Sequence, residues 1–208
     1  MAEVEERLDV FDELGKWIGV GSRGAVHREG SWHRCFHLWV VCGDAVLLQR
    51  RGRQKTSWPG RLDATAAGHV LAGESVAAAG VREVREELGV DYPPGALVPL
   101  GVRPIVDHSG GRVNREFQHV FLVADPRPLT GWTALNREEL DGLVRIALSA
   151  FTALVHGPGA GPWSAEAWGG ERVEAVTVHR DEVLAARYLP ALTIMLERFA
   201  QGQRPLAI

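Results

Sequence analysis

Cysteine is scarce: Cys35 and Cys42 are the only two among 208 residues. Two thiols make no disulfide framework and suit a reducing cytoplasm, which is where the chain is expected. An excess of either charge is missing as well, with 23 basic against 26 acidic residues and a net charge of −3. That balance gives no reason to expect nucleic acid as a partner. Nor is any apolar stretch long enough to span a bilayer. The first residues, with Glu3, Glu5 and Glu6, lack the basic-then-apolar order of a secretory leader, so no membrane association is expected. Internal repeats are absent. What is present is ordinary: at 46% hydrophobic and 24% charged, the chain reads as one globular domain over 1–208 that can bury a sizeable core.

The informative stretch is GHVLAGESVAAAGVREVREELGV, from Gly68 to Val90. Ser75 is a natural N-cap and Gly89 a natural C-terminal stop, so the sequence predicts a helix between them. Ala77, Val81, Val84 and Leu88 form an apolar stripe to dock on a core. Glu83, Glu86 and Glu87 stand at i, i+3 and i+4, which gathers them on another face. Three neighbouring carboxylates repel one another, and a divalent cation that favours oxygen ligands would turn the repulsion into a binding site. Without a cation the same residues are a solvated acidic face.

Read whole, the stretch matches the Nudix box: Gly68, Glu74, Arg82, Glu83, Val84, Glu86, Glu87, Gly89 and Val90 fall where that motif fixes them. The chain therefore resembles a Nudix protein. The resemblance implies an α/β fold, an α/β/α sandwich around a mixed central sheet, in which the box is a loop–helix–loop holding Mg2+ or Mn2+ against a diphosphate. It makes Glu83, Glu86 and Glu87 metal ligands, helped by a carbonyl near Gly68. Glu74 and Arg82 become an ion pair that braces the loop on the helix. Glu116 is the acid from outside the box that such hydrolases recruit as ligand or base.

Around the box, Arg7 to Val20 reads as an edge hairpin, and Cys35–Cys42 and Ala45–Arg50 as strands joined at Gly43-Asp44. Trp58-Pro59-Gly60 breaks the basic loop that carries Arg51 and Lys55, with Trp58 expected to pack on the box loop. Strands follow at 97–106 and 115–123, with a turn over 107–111 between them. Residues 143–148 read as a strand capped by a helix at 149–155, although one helix over 137–155 fits the periodicity equally. The Gly/Pro-rich segment 156–170 reads as a loop insertion that includes Trp163 and Trp168. A C-terminal strand and helix occupy 172–201, with Val183, Leu184, Leu192, Met195, Leu196 and Phe199 on the buried face and Pro190 as a kink.

The flanks resemble the Nudix branch that contains isopentenyl-diphosphate isomerase and its hydrolase-like relatives. Val26-His27-Arg28, Trp32-His33-Arg34, His37-Leu38-Trp39, Gln49-Arg50-Arg51 and Trp58-Pro59-Gly60 carry that likeness in order. Such isomerases place a catalytic cysteine just before the Gly-His that opens the box, where this chain has Ala67, and alanine transfers no proton. They also lack several box acids that are all present here. By the same likeness, His27, His37, His69 and Glu116 correspond to a second metal site, with Asn114 where another acidic ligand is expected. Each histidine reads equally as an ordinary strand or loop residue.

Arg51 and Lys55 match diphosphate-contacting positions, and a guanidinium fork beside a mobile ammonium suits a phosphate pair. The expected function is metal-dependent hydrolysis of a small-molecule diphosphate, foremost a nucleoside diphosphate derivative. Glu86, Glu87 or Glu116 would serve as base, and Arg82 would support them. An isomerase and a non-catalytic diphosphate-binding module are the alternatives. Related proteins are often homodimers, but no feature here specifies an interface.

Overall fold

The computed structural model describes residues 5–208 apart from 56, 94, 110, 111, 160 and 185, and apart from the side chains at 109 and 112. The apolar run after Gly30 forms β3 (Trp32–Cys42), the axis of the sheet. Strand geometry sends alternate side chains to opposite faces. Phe36, Leu38, Val40 and Cys42 accordingly enter one core cluster, and Trp39 and Val41 the other.

One edge of β3 pairs in parallel with β8 (Arg112–Ala124), from Trp32 opposite Arg115 to Val41 opposite Ala124. The other edge is divided. Its first half, Cys35 to Leu38, pairs antiparallel with β6 (Ala66–His69), and its last residues, Val40 to Cys42, with β4 (Ala45–Arg51). Beyond β8 lies β7 (Val98–Ser109), and β4 also carries β5 (Leu62–Asp63) and β9 (Leu140–Ala147). The expected edge hairpin is present as β1 (Arg7–Phe11) and β2 (Trp17–Ser22), joined to β3 through Phe11 and Trp32. One parallel pair among antiparallel ones makes the sheet mixed.

Helix α2 (Val76–Leu88) covers one face, setting Val84 and Leu88 among Phe36, Leu38 and Val40. Helices α3 (Leu148–His156) and α4 (Leu189–Ala200) cover the other, where Phe151, Leu154, Leu192 and Leu196 meet Trp39 and Val41. The result is the expected α/β/α sandwich. No helix among the described residues is long and apolar enough to cross a membrane.

Several sequence expectations need correction. The segment 156–170 is not a continuous loop: Trp163–Trp168 forms β10, which pairs with β9 and with β11 (Val173–Val178). A Cβ at Gly142 would run into the Trp168 carbonyl, so glycine at 142 is what lets this strand approach. Pro190 does not kink a long helix; it lies in the first turn of α4, where its missing N–H has no intrahelical partner to lose. Residues 180–182 form only a short 3-10 turn. The strand followed by a helix is the form taken at 140–156, not a single helix. Over 107–109 the chain is still strand, and Gly110 and Gly111 of the expected turn lie outside the described residues. A short helix not foreseen, α1 (Arg23–Glu29), starts at the Ser22 cap and ends at Gly30 in the left-handed region.

Candidate active site

Helix α2 has the expected ends: the Ser75 hydroxyl accepts from the Ala78 N–H, and Gly89 closes the helix at φ 66°. Its inward stripe is shifted, however. Val81 is 37% exposed and Ala77 is exposed, while Ala79, Gly80, Val84, Glu87 and Leu88 are buried. The reason is Gly80, over which the Phe36 ring lies so closely that a Cβ would collide with it, turning that side of the helix inward.

This rotation separates the three carboxylates by environment. Glu86 projects outward with its side chain 54% exposed, Glu83 is half-sunk, and Glu87 is buried. Arg82 threads them together: its Nη1 donates to Glu83 at 2.7 Å and to Glu86 at 3.1 Å. Its Nε and Nη2 donate to the two oxygens of Glu74, and Nη2 also to the His69 carbonyl at 2.8 Å. Glu74 in turn accepts from the Leu71 N–H, so the expected ion pair is a bidentate brace between loop and helix. Burial works against the Glu74 charge, but these donors outweigh it and hold the carboxyl below its ordinary range.

The Glu83 carboxyl lies against the backbone of Gly68, and a Cβ at that position would occupy the space of the carboxyl itself. Burial, offset in part by Arg82 and reinforced by Glu86 and Glu6, raises Glu83 to about 6. Glu87 sits where β3 passes from β6 to β4, accepting from the Ala67 N–H at 3.0 Å and from Gln49 Nε2 at 3.4 Å. Burial and the nearby Glu83 charge push it well above its ordinary value. Carboxylates that resist charging beside a glycine backbone fit an oxygen-seeking divalent cation, whose charge would reverse both shifts. Glu83, Glu86, Glu87 and the Gly68 carbonyl are the groups that would hold it.

The basic side chains divide. Arg51 is engaged by the loop that follows it, donating to the Ser57 carbonyl through Nε and Nη2 and to Asp63 at 3.2 Å. Lys55 pairs with Glu139, and both charges are felt at Glu87. Glu139 had no signal in the sequence beyond being an acid near a strand start. Trp58 is 42% exposed and holds a left-handed φ of 53°, uncommon for a bulky residue.

Glu116 is not with the box carboxylates. It accepts from Asn114 Nδ2 at 2.5 Å and Gln118 Nε2 at 2.7 Å, and its Oε1 is 3.9 Å from His33 Nε2. Cys35 lies between the two sets, where burial, Glu116 and the Glu83 charge together push its thiol up. Pairing explains the separation. His33 lies opposite Glu116, and Cys35 opposite both Gln118 and His69, so these side chains share the sheet face away from α2.

The histidine assignment also changes. His27 and His69 do meet, Nε2 to Nε2 at 3.1 Å, but the third ring beside them is His33, not His37. His37 turns instead to the Tyr188 hydroxyl at 2.7 Å, which also accepts from Trp39. Burial opposes the Glu116 charge, but His37, His33 and the two amide donors outweigh it and hold the carboxyl near 2. Burial, with His33 adding, lowers His27 and takes His69 well below the ordinary imidazole value, so both favour the neutral form.

Residues 32–167, most of the sheet together with the box, match the NUDIX domain. The chain is 39% identical over 148 residues to an uncharacterized Nudix hydrolase of Clostridium acetobutylicum, covering 69% of this chain and 71% of that protein. It is 34% identical over 166 residues to a protein of Nocardia farcinica named isopentenyl-diphosphate Delta-isomerase, covering 76% and 90% respectively. A solved structure from Deinococcus radiodurans shares the fold with a TM-score of 0.58 at 21% identity, over 74% of this chain and 90% of that one. The chain belongs to the Nudix hydrolase family, in the branch that also includes isomerase-named members.

Proposed function

We propose that this chain is a Mg2+-dependent hydrolase of an organic diphosphate, with nucleoside diphosphate derivatives as the leading substrate class. The observation that carries the reading is the Glu83 carboxyl set against the Gly68 backbone, between Glu86 at the surface and buried Glu87. A bound Mg2+ would neutralise diphosphate oxygens and make an attacking water more acidic. Arg82 holds Glu83 and Glu86 in one orientation and ties them to the box loop, so the ligand oxygens are set before substrate arrives. Glu86 and Glu87 are the candidates to take the water proton. Glu116 stands on the other face of the sheet and is left out of that step. Lys55 releases Glu139 to meet the diphosphate, whereas Arg51 shapes the loop that carries Lys55.

An isomerase reading is favoured by one observation, the pocket of His33, His69 and Glu116 on the face that Ala67 shares with its partner His37. Alanine at that position supplies no proton, so hydrolysis leads. One assay separates the readings: phosphate or monophosphate release over a panel of nucleotide diphosphates and isopentenyl diphosphate, with and without Mg2+. Metal-dependent cleavage that Glu86→Gln abolishes is the expected result. Isomer formation without cleavage would replace hydrolysis with isomerisation, and silence throughout would leave a binding module.

A further inference from the structure

Strand β4 runs through the middle of the sheet, with β9 along one edge and β3 and β5 along the other, and every residue from Ala45 to Gln49 is buried. A glutamine 2% exposed at the end of an apolar run has given up its water and needs a partner. Strand alternation decides where that partner lies. Leu47 enters the core cluster under α2, so Gln49, two residues on, faces α2 as well. There its Nε2 donates to Glu87 Oε2 at 3.4 Å.

The same oxygen accepts from the Ala67 N–H at 3.0 Å, whereas Oε1 receives no donor among the described residues. Two donors on one oxygen, from β4 and from β6, fix the rotation of the carboxyl and turn the other oxygen away from the sheet. The remaining box carboxylates are held differently. Glu83 and Glu86 share the Arg82 guanidinium, whose other bonds go to Glu74 and the His69 carbonyl rather than to Glu87. The Lys55 charge is felt at Glu87, but its ammonium pairs with Glu139. Among the described residues, then, a neutral amide is the side-chain donor to Glu87. It orients the carboxylate without bringing a positive charge that would compete with a divalent cation.

Resting on the hydrolase reading, we propose that Gln49 is a positioning residue for Glu87: it holds Oε2 against the sheet, so that Oε1 is the atom presented to the divalent cation and its water. Ala67 and Gly68 are consecutive in β6, so the backbone that donates to Oε2 continues into the backbone on which the Glu83 carboxyl lies. Both buried carboxylates are thereby set against one short stretch of strand. Gln49 does for Glu87 what Arg82 does for Glu83 and Glu86.

The test uses the full chain and Gln49→Met, which keeps the length of the side chain and removes its donor. In calorimetric titration of the folded variant, Mg2+ affinity is expected to fall about 10–100-fold. A residue that only packs would lower the urea midpoint and leave the affinity of the folded chain unchanged, and that outcome overturns the proposal. Should Gln49→Met fail to fold, nuclear magnetic resonance of the unmodified chain decides, with the Gln49 side-chain amide identified by its cross-relaxation with the Ala67 N–H that shares its acceptor. Persistence of that contact through Mg2+ saturation supports the ion on Oε1. Its loss as Mg2+ binds would mean that the ion takes Oε2, which overturns the role of Gln49. Neither readout needs turnover, so the two readings fail separately: a chain that binds no Mg2+ sinks the hydrolase reading and this one with it, whereas equal affinity in both forms sinks Gln49 alone.

Discussion

Glu83, Glu86 and Glu87 come from one helix with an arginine bonded to two of them, whereas His33, Cys35, His69 and Glu116 come from three strands, where Cys35 and His69 feel the Arg23 charge. The first group is hard oxygen and partly open, with Arg82 offsetting part of its charge through Glu83 and Glu86. The second is nitrogen, sulfur and oxygen, closed to solvent around His33 and unbalanced. The difference is instructive. A site that must admit a charged substrate keeps a protein cation to hold its carboxylates when the substrate is gone. In the closed group burial instead keeps the His69 ring and the Cys35 thiol toward their neutral forms, while Glu116 is held ionised.

The comparison breaks first at Glu86. As an exposed group, it contributes little to folding, so Glu86→Gln should leave the denaturation midpoint unchanged while lowering Mg2+-dependent kcat/KM on the order of 10²–10³-fold. A large loss of stability instead would make it a structural residue. Gly68→Ala comes next. The added methyl displaces the Glu83 carboxyl, with an expected cost of about 1–3 kcal/mol in urea unfolding and loss of Mg2+ binding by calorimetry. Retention of full Mg2+ affinity would show that Glu83 need not lie on the Gly68 backbone.

The helical side of this contrast was open to sequence reading, and the strand side was not. Ser75 and Gly89 act through bonds within a few residues, so the limits of α2 follow from local chemistry. Which residues face inward does not: Val81 was replaced on the buried side by Glu87 because Phe36, a distant residue, packs on Gly80. His33, Cys35 and His37 alternate onto one face, and only register decides which of them meets His69. That register is set by pairing between separate segments, hence the substitution of His37 for His33 in the expected set. Strand β10 was hidden for a similar reason, since its partners β9 and β11 supply what its Gly- and Pro-rich surroundings do not. The short α1 did carry a signal, Ser22 followed by Gly30, obscured by Gly24 inside it.

A smaller effect sharpens the box through pH. In the metal-free fold Glu83 titrates at about 6, above the ordinary 4.5, so the folded chain holds this proton more tightly than the unfolded one. Its contribution of about 2 kcal/mol is therefore complete below pH 4.5 and is lost as pH rises through 6. Mg2+ needs the ionised form and runs the opposite way. Its affinity should be roughly tenfold weaker at pH 5 than at pH 7 and level off above, measured by calorimetry at fixed ionic strength. An affinity flat across this range would remove Glu83 from the ligand set.

Tyr188 offers the finest test of how the buried strand side is held. Its hydroxyl accepts from Trp39 Nε1 at 3.3 Å and is 2.7 Å from His37 Nδ1, all three residues being buried. Tyr188→Phe leaves both nitrogens without that partner and should lower stability by about 1–2 kcal/mol in urea. An unchanged urea midpoint would show that the hydroxyl adds nothing to the hold of β3 on α4. A midpoint that falls as expected would make this hydroxyl the polar link between β3 and the core under α4.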